Sequence, residues 1–199
     1  MKVLGHPLKT TRILFLSLLL AFLSTSLFAT TVIHLNDDEL TQRSDFVIQG
    51  TVVSVDSAVR EGPMKVFTMV QIQVEDVWKG NWLEPTAYVS IPGGTLDGTK
   101  VHVPGTPKFI AGEEVVVFLE QLKTGEQSLA GLAQGRFEVV RQNGNEELIR
   151  NLGSGHYVRP SNLGAGQGLV KDERTQRESL SSFKEKVFHW SQLETIGPR

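Results

Sequence analysis

The sequence predicts a mainly β domain: a small antiparallel barrel, preceded by a short helix and closed by an amphipathic C-terminal helix. Three observations carry this. From Val66 to Trp78, the residues Val70, Ile72 and Val74 alternate with Gln71, Gln73 and Glu75, the period of two of a strand with one face in a core. From Asp45 to Val55 the chain is rich in branched residues with Gly50 in their midst, and a glycine inside such a strand marks a bulge or a sharp bend, as barrels use to turn corners. Downstream, short apolar runs recur at intervals of about ten to fifteen residues with Gly or Pro turns between them, the spacing of an all-β barrel or sandwich.

Residues 1–29 differ from everything after them. Lys2, Lys9 and Arg12 precede the apolar run Ile13 to Phe22, and small residues lead to Ala29. A basic start, about ten apolar residues and a small residue before the cut describe a secretory signal peptide, since a spanning helix needs about 20. Ser26, with Ser24 behind it, is an alternative cleavage site. The expected product is exported, periplasmic or extracellular, with no membrane anchor after cleavage. Its net charge is about −5, because the leader takes three of the 20 basic residues and none of the 22 acidic ones. That balance argues against nucleic acid as a partner, which requires clustered Lys and Arg. With no cysteine in the chain, neither disulfides nor thiolate zinc can hold the fold, and burial alone must do so.

Along the mature chain, Asn36 is placed to cap a helix over Asp37 to Arg43, whose first turn carries Asp37, Asp38 and Glu39 where the helix dipole favours acids. The polar stretch from Asp56 to Pro63 joins the two long runs as a hairpin. Ala87 to Ile91 is a third strand, stopped by Pro92-Gly93-Gly94. Thr99 to Val103 is a fourth, stopped by Pro104-Gly105-Thr106-Pro107. Val115 to Leu119 is apolar on both parities, which predicts a central strand covered on both faces. Arg136 to Val140 and Glu147 to Arg150 flank Asn143-Gly144, a strong hairpin signal. The barrel domain is thus expected over residues 30–150. Residues 151–174 read as a Gly-rich linker, and residues 175–191 as a helix whose stripe of Leu180, Phe183, Val187 and Trp190 docks on the barrel. Exposure of that stripe would instead make the helix an arm for a partner.

Few residues point to chemistry. His34, His102, His156 and His189 show none of the paired spacing that zinc hydrolases place on one helical face. Gly153-Ser154-Gly155-His156 lacks the nucleophile elbow, and Gly164 to Gly168 lacks the Lys-Ser/Thr pair of a phosphate loop. No catalytic residue, metal ligand or cofactor is assigned. The candidate ligand-binding set is Trp82 and Tyr88, exposed aromatics suited to sugar or peptide, with the rigid turn residues Pro92, Gly93, Gly94 and Pro104, and with His102 between them. The functional expectation is a non-enzymatic binding module for a protein, peptide or glycan. The alternative is a hydrolase or protease-associated envelope protein drawing on His102, His156 and the acids near Asp37.

Five segments, Val77-Trp78-Lys79-Gly80, Ile91 to Thr95, Val103 to Phe109, Gly112 to Leu119 and Gly131 to Phe137, resemble those of a group of exported bacterial proteins of unknown function. The barrel of that group is similar to the OB-type fold of netrin-like domains and tissue inhibitors of metalloproteinases. The resemblance spans about Leu35 to Val140 and implies a closed or partly open antiparallel OB-like β-barrel. The inhibitors chelate zinc through an N-terminal cysteine, so their inhibitory residues do not carry over to this cysteine-free chain.

Overall fold

The computed structural model describes residues 31–60, 65–153, 156–159, 168–169 and 175–193. The proposed leader lies outside them. In chain order the elements are β1 (Thr31–Ile33), α1 (Asp37–Arg43), β2 (Phe46–Val59), β3 (Val66–Lys79), β4 (Thr86–Pro92), β5 (Gly94–Leu96), β6 (Thr99–Val101), β7 (Glu114–Gln121) and β8 (Gln127–Leu129). A 3-10 turn (Leu132–Gly135) follows, then β9 (Arg136–Gln142), β10 (Asn145–Asn151), β11 (His156–Arg159), β12 (Gly168–Leu169), β13 (Thr175–Ser179) and α2 (Leu180–Leu193). The protein is mainly β.

Helix α1 starts where the sequence places it. Glu39 Oε2 accepts the Asn36 N–H at 2.8 Å, so one orphan donor at the helix entrance is satisfied from within the first turn. Leu40 anchors the helix, fully buried.

Eight strands form one sheet in the order β13-β10-β9-β7-β2-β3-β4-β8, and β8 also pairs with β7. The sheet is mixed, which corrects the wholly antiparallel expectation. Strands β2, β3 and β4 alternate in direction, and β7 runs antiparallel to β2. The tight turn after β7, where Gly125 N–H donates to Leu122 O at 2.8 Å, sends β8 back antiparallel to β7. It therefore meets β4 in parallel, with Val89 opposite Gln127.

The register of the long hairpin β2–β3 shifts beside Gly50, but the extra residues are elsewhere. Gly50 pairs with Val74 and Gln49 with Asp76, so Glu75 has no opposite residue; Val53 and Trp78 are skipped in the same way. Glycine is required at 50 because a Cβ there would lie 2.1 Å from Gln73 O. Each bulge flips the side-chain parity beyond it. Val70, Ile72, Val74 and Val77 consequently pack into one core cluster while Trp78 enters another. Trp78 is buried, yet on the opposite side from the residues whose parity it shares.

Strand β7 separates the two clusters. Val116 and Phe118 pack with Leu40, Phe137, Leu148 and the C-terminal helix; Val115, Val117 and Leu119 pack with Ile48, Val70, Ile72 and Val89. All five of these β7 residues are fully buried, as an apolar run on both parities requires. In α2, Leu180, Phe183 and Val187 are buried, and the Phe183 ring lies 4.9 Å from Phe137 and 6.1 Å from Phe118. The helix is a layer of the protein's own core, and the partner-arm reading of that stripe falls.

Two boundaries from the sequence need correction. The helix begins at Leu180, because residues 175–179 form strand β13, antiparallel to β10 with Leu148 opposite Glu178. Thr-Gln-Arg-Glu-Ser has no apolar stripe to dock as a helix, whereas its backbone can satisfy the open edge of β10. Within residues 151–174, the sequence suggested only a linker. Strand β10 in fact runs through Asn151, β11 pairs in parallel with β1, and β12 pairs with β11. The rest of that segment lies outside the described residues.

Candidate functional site

Strand β4 positions the candidate residues. Its inward residues Ala87, Val89 and Ile91 are buried in the core, so the intervening Tyr88 must face outward; it is 56% exposed. The loop before β4 is held as firmly. Gly80, at φ +84°, passes so near β2 that a Cβ would lie 2.5 Å from Asp45 O, and Pro85 O accepts both the Val74 N–H and Gln73 Nε2 at 2.9 Å. Trp82 in this loop is half-buried. Its ring stands edge-on to Phe46 at 5.1 Å, and its Nε1 donates to Glu84 O at 2.8 Å.

Trp82 and Tyr88 line one groove of about 500 Å³ with Met69, Glu84, Glu126 and Gln127. Arg60 pairs with Glu126 and lies over the Phe67 ring at 4.6 Å. Gln127 is only 7% exposed, and its Oε1 has no hydrogen-bond partner among the described residues. A buried acceptor left without a partner costs about 1–3 kcal/mol, and this oxygen is itself buried, so it sits behind the groove wall instead of facing the groove.

Pro92, Gly93, Gly94 and His102 gather elsewhere, around a second groove of about 260 Å³ that includes Lys108 and Phe109. The Pro92-Gly93-Gly94 turn needs its glycines: Gly93 has φ +91° and would place a Cβ 2.7 Å from Val101 O. Thr68 Oγ1 donates to Gly93 O at 2.9 Å, which fixes the turn to β3. His102 is exposed at the rim. Pro104 lines neither groove; the residue after it, Gly105, accepts the Ala133 N–H at 2.9 Å, joining that turn to the 3-10 segment. The structure thus divides the candidate set into two surfaces along β4 where the sequence implied a single one.

Residues named for the hydrolase alternative are distributed differently again. Asp37 Oδ1 accepts Arg150 Nη1 at 2.6 Å, and Arg150, 4% exposed, lies over Phe137 at 4.9 Å. The acidic start of α1 thus serves its own cap and this ion pair. His102 belongs to the second groove, His156 to β11 in a separate sheet with its side chain outside the description, and His189 is exposed on α2. Among the described residues, no three of His, Cys, Asp and Glu gather as a metal set.

Met69, Glu84 and Gln127 were not among the sequence candidates. Met69 and Glu84 enter the groove through the β3–β4 pairing and the fixed loop. Gln127 enters through the parallel contact of β8 with β4, for which the three residues Gln127-Ser128-Leu129 carry no periodic signal.

The chain matches no protein-family model and no curated protein.

Proposed function

We propose that the chain is an exported, non-enzymatic binding module built on an OB-like barrel, with its ligand held in the groove between Trp82 and Tyr88. The barrel reading is supported by the pairings β2-β3-β4-β8-β7 and back to β2. A ring with an odd number of strands cannot be antiparallel throughout, and a single parallel contact, β4 with β8, is what closure of five strands calls for. The same reading is what the sequence's resemblance to exported bacterial proteins with netrin-like barrels implies. Export rests on the charged start, short apolar run and small residues of residues 1–29.

The observation that carries the binding reading is the pair of aromatic rings, Trp82 and Tyr88, lining one groove whose wall is fixed by β4 and by the loop anchored at Pro85. Ligand sites combine apolar or aromatic lining with a few placed polar groups. The partner class is an envelope or extracellular protein, peptide or glycan; cofactors and nucleic acid have no place in the reading. The test compares immobilised wild-type chain with a Tyr88→Ala/Glu84→Lys variant for what each retains from the envelope fraction of the exporting cell. Material held by the wild type and lost from the variant supports the site. Equal retention by both, with unchanged circular dichroism, sinks it.

A further inference from the structure

A second surface, apart from the Trp82–Tyr88 groove, presents an unpaired strand edge. Strand β2 pairs with β3 from Val47 to Val59 but with β7 only from Phe46 to Thr51. Val52 donates its N–H to Glu113 O and accepts the Gly112 N–H; from Val53 to Val59 no described strand pairs with that side. The ladder decides which groups face the open side. Arg60 N–H donates to Lys65 O across the hairpin, while Val66, opposite Val59, turns its carbonyl to the Gly93 N–H beside β4. Backbone direction alternates along a strand, so Val55, Ser57 and Val59 point their N–H and C=O groups away from β3. Among the described residues nothing bonds these groups. Val53, Val55 and Val59 are 49, 37 and 58% exposed, which makes the edge both accessible and apolar. An edge of that kind is a template for a further strand.

The charges beside the edge select what that strand carries. Val55 also lines the groove of about 260 Å³, whose described lining holds Lys100, His102 and Lys108 and no aspartate or glutamate. All three basic residues are exposed, and none has a hydrogen-bond or ion-pair partner among the described residues. On a chain of formal net charge −2, two such lysines on one groove set up a local positive field that favours carboxylates. Main-chain donors and acceptors at strand spacing match an extended peptide and no other common ligand. A second copy of this chain is a poor occupant. Its own edge, Val53 to Val59, has Asp56 as its one charge, and Asp56 alternates with Val55, the residue that lines the groove.

We propose that β2 takes an extended acidic peptide as an added strand along Val55 to Val59, with the peptide's carboxylates set against Lys100 and Lys108. This goes beyond the Trp82–Tyr88 reading and does not depend on it. The probes are capped, dye-labelled peptides of alternating valine and glutamate. In two controls glutamine or lysine replaces glutamate, and a third is the glutamate form N-methylated throughout. Binding to the full chain is read by fluorescence anisotropy. The glutamate form is expected to bind at least about tenfold more tightly than each control. Lys100→Glu/Lys108→Glu should weaken it about tenfold and reverse the order of the glutamate and lysine forms. Ser57→Pro removes an N–H that the fold leaves unpaired, so an edge strand can accept it. It should weaken the peptide about tenfold more than Ser57→Ala, which loses the same hydroxyl and keeps the N–H. Circular dichroism checks each variant, and if Ser57→Pro does not fold, the N-methylated peptide decides the question. Equal binding of the glutamate, glutamine and lysine forms, undiminished binding of the N-methylated form, or no binding of the glutamate form overturns the inference. So does a dimer that Ser57→Pro dissociates, seen by analytical ultracentrifugation, which gives the edge to a second copy.

Discussion

Phe183 offers the sharpest test of the architecture, because the C-terminal helix either completes a core or merely rests on one. Phe183 is 1% exposed, and its ring sits among those of Phe137, Phe118 and Trp190 at 4.9, 6.1 and 6.4 Å. Truncating a buried Phe to Ala costs about 3–5 kcal/mol through lost transfer energy and the cavity left behind. Each aromatic pair adds about 0.5–1.5 kcal/mol beyond area, and three such partners place Phe183→Ala in the upper half of that range, about 4 kcal/mol. For a domain of this size that corresponds to roughly 8–16 °C in Tm. The control lies five residues along the same helix: Phe188 is 60% exposed, so Phe188→Ala should change stability by no more than about 0.5 kcal/mol. Urea unfolding followed by tryptophan fluorescence and by circular dichroism measures both. A Phe183→Ala cost below about 1 kcal/mol, or a cost equal to that of Phe188→Ala, would refute the helix as a core layer.

Three further outcomes are expected. Gly50→Ala should destabilise by about 3 kcal/mol or more, because its Cβ would lie 2.1 Å from the backbone oxygen of Gln73 and overpacking against main chain has no soft escape; a thermal melt within 2–4 °C of wild type, about 1 kcal/mol, would contradict this. Asp37→Ala should cost more than Arg150→Met, since it leaves a guanidinium with 4% side-chain exposure short of its carboxylate and an uncompensated buried charge is worse than none; chemical denaturation of both variants and their double mutant decides the order. Glu39→Ala should lose about 0.5–1 kcal/mol through the loss of the hydrogen bond its carboxylate accepts from the Asn36 N–H, read as a shift in the urea midpoint at constant slope.

Local physics made part of this fold legible. The apolar run at Val115 to Leu119 announced a strand between two cores, Asn143-Gly144 announced the β9–β10 hairpin with both residues at positive φ, and Asn36 with the acids behind it announced α1. What escaped depends on partners distant in sequence. The bulges at Val53, Glu75 and Trp78 arise from how β2 and β3 fit each other, so counting parity along β3 alone puts Trp78 on the wrong side. Strand β13 is polar throughout and exists because β10 needs a neighbour; nothing in Thr175 to Ser179 by itself favours a strand over the first turn of the helix that follows. The site divides the same way. Tyr88 could be found from alternation on β4, since its neighbours are apolar, whereas Gln127 becomes a wall residue only because five strand directions make β8 run beside β4.

That dependence bears on how precisely a ligand could be held. Tyr88 lies between Ala87 and Val89, both fully buried, so any rotation of β4 that moved the phenol ring would drag two core residues with it. Trp82 is held through Phe46, Glu84 and a loop anchored at Pro85 by two donors from β3. Gln127 is fixed from a third direction by the β7–β8 hairpin. A site whose rings are locked by separate elements loses little side-chain freedom on binding, and that preorganisation, more than contact area, would set how tightly a groove of about 500 Å³ holds a ligand. Loosening the support while sparing the lining should therefore weaken binding without touching a contact. Phe46→Ala, which removes the ring that stands against Trp82, should raise Kd several-fold for a ligand that the wild-type groove retains, with Tyr88 unchanged. An unaltered Kd in a folded Phe46→Ala protein would show that Trp82 needs no such support.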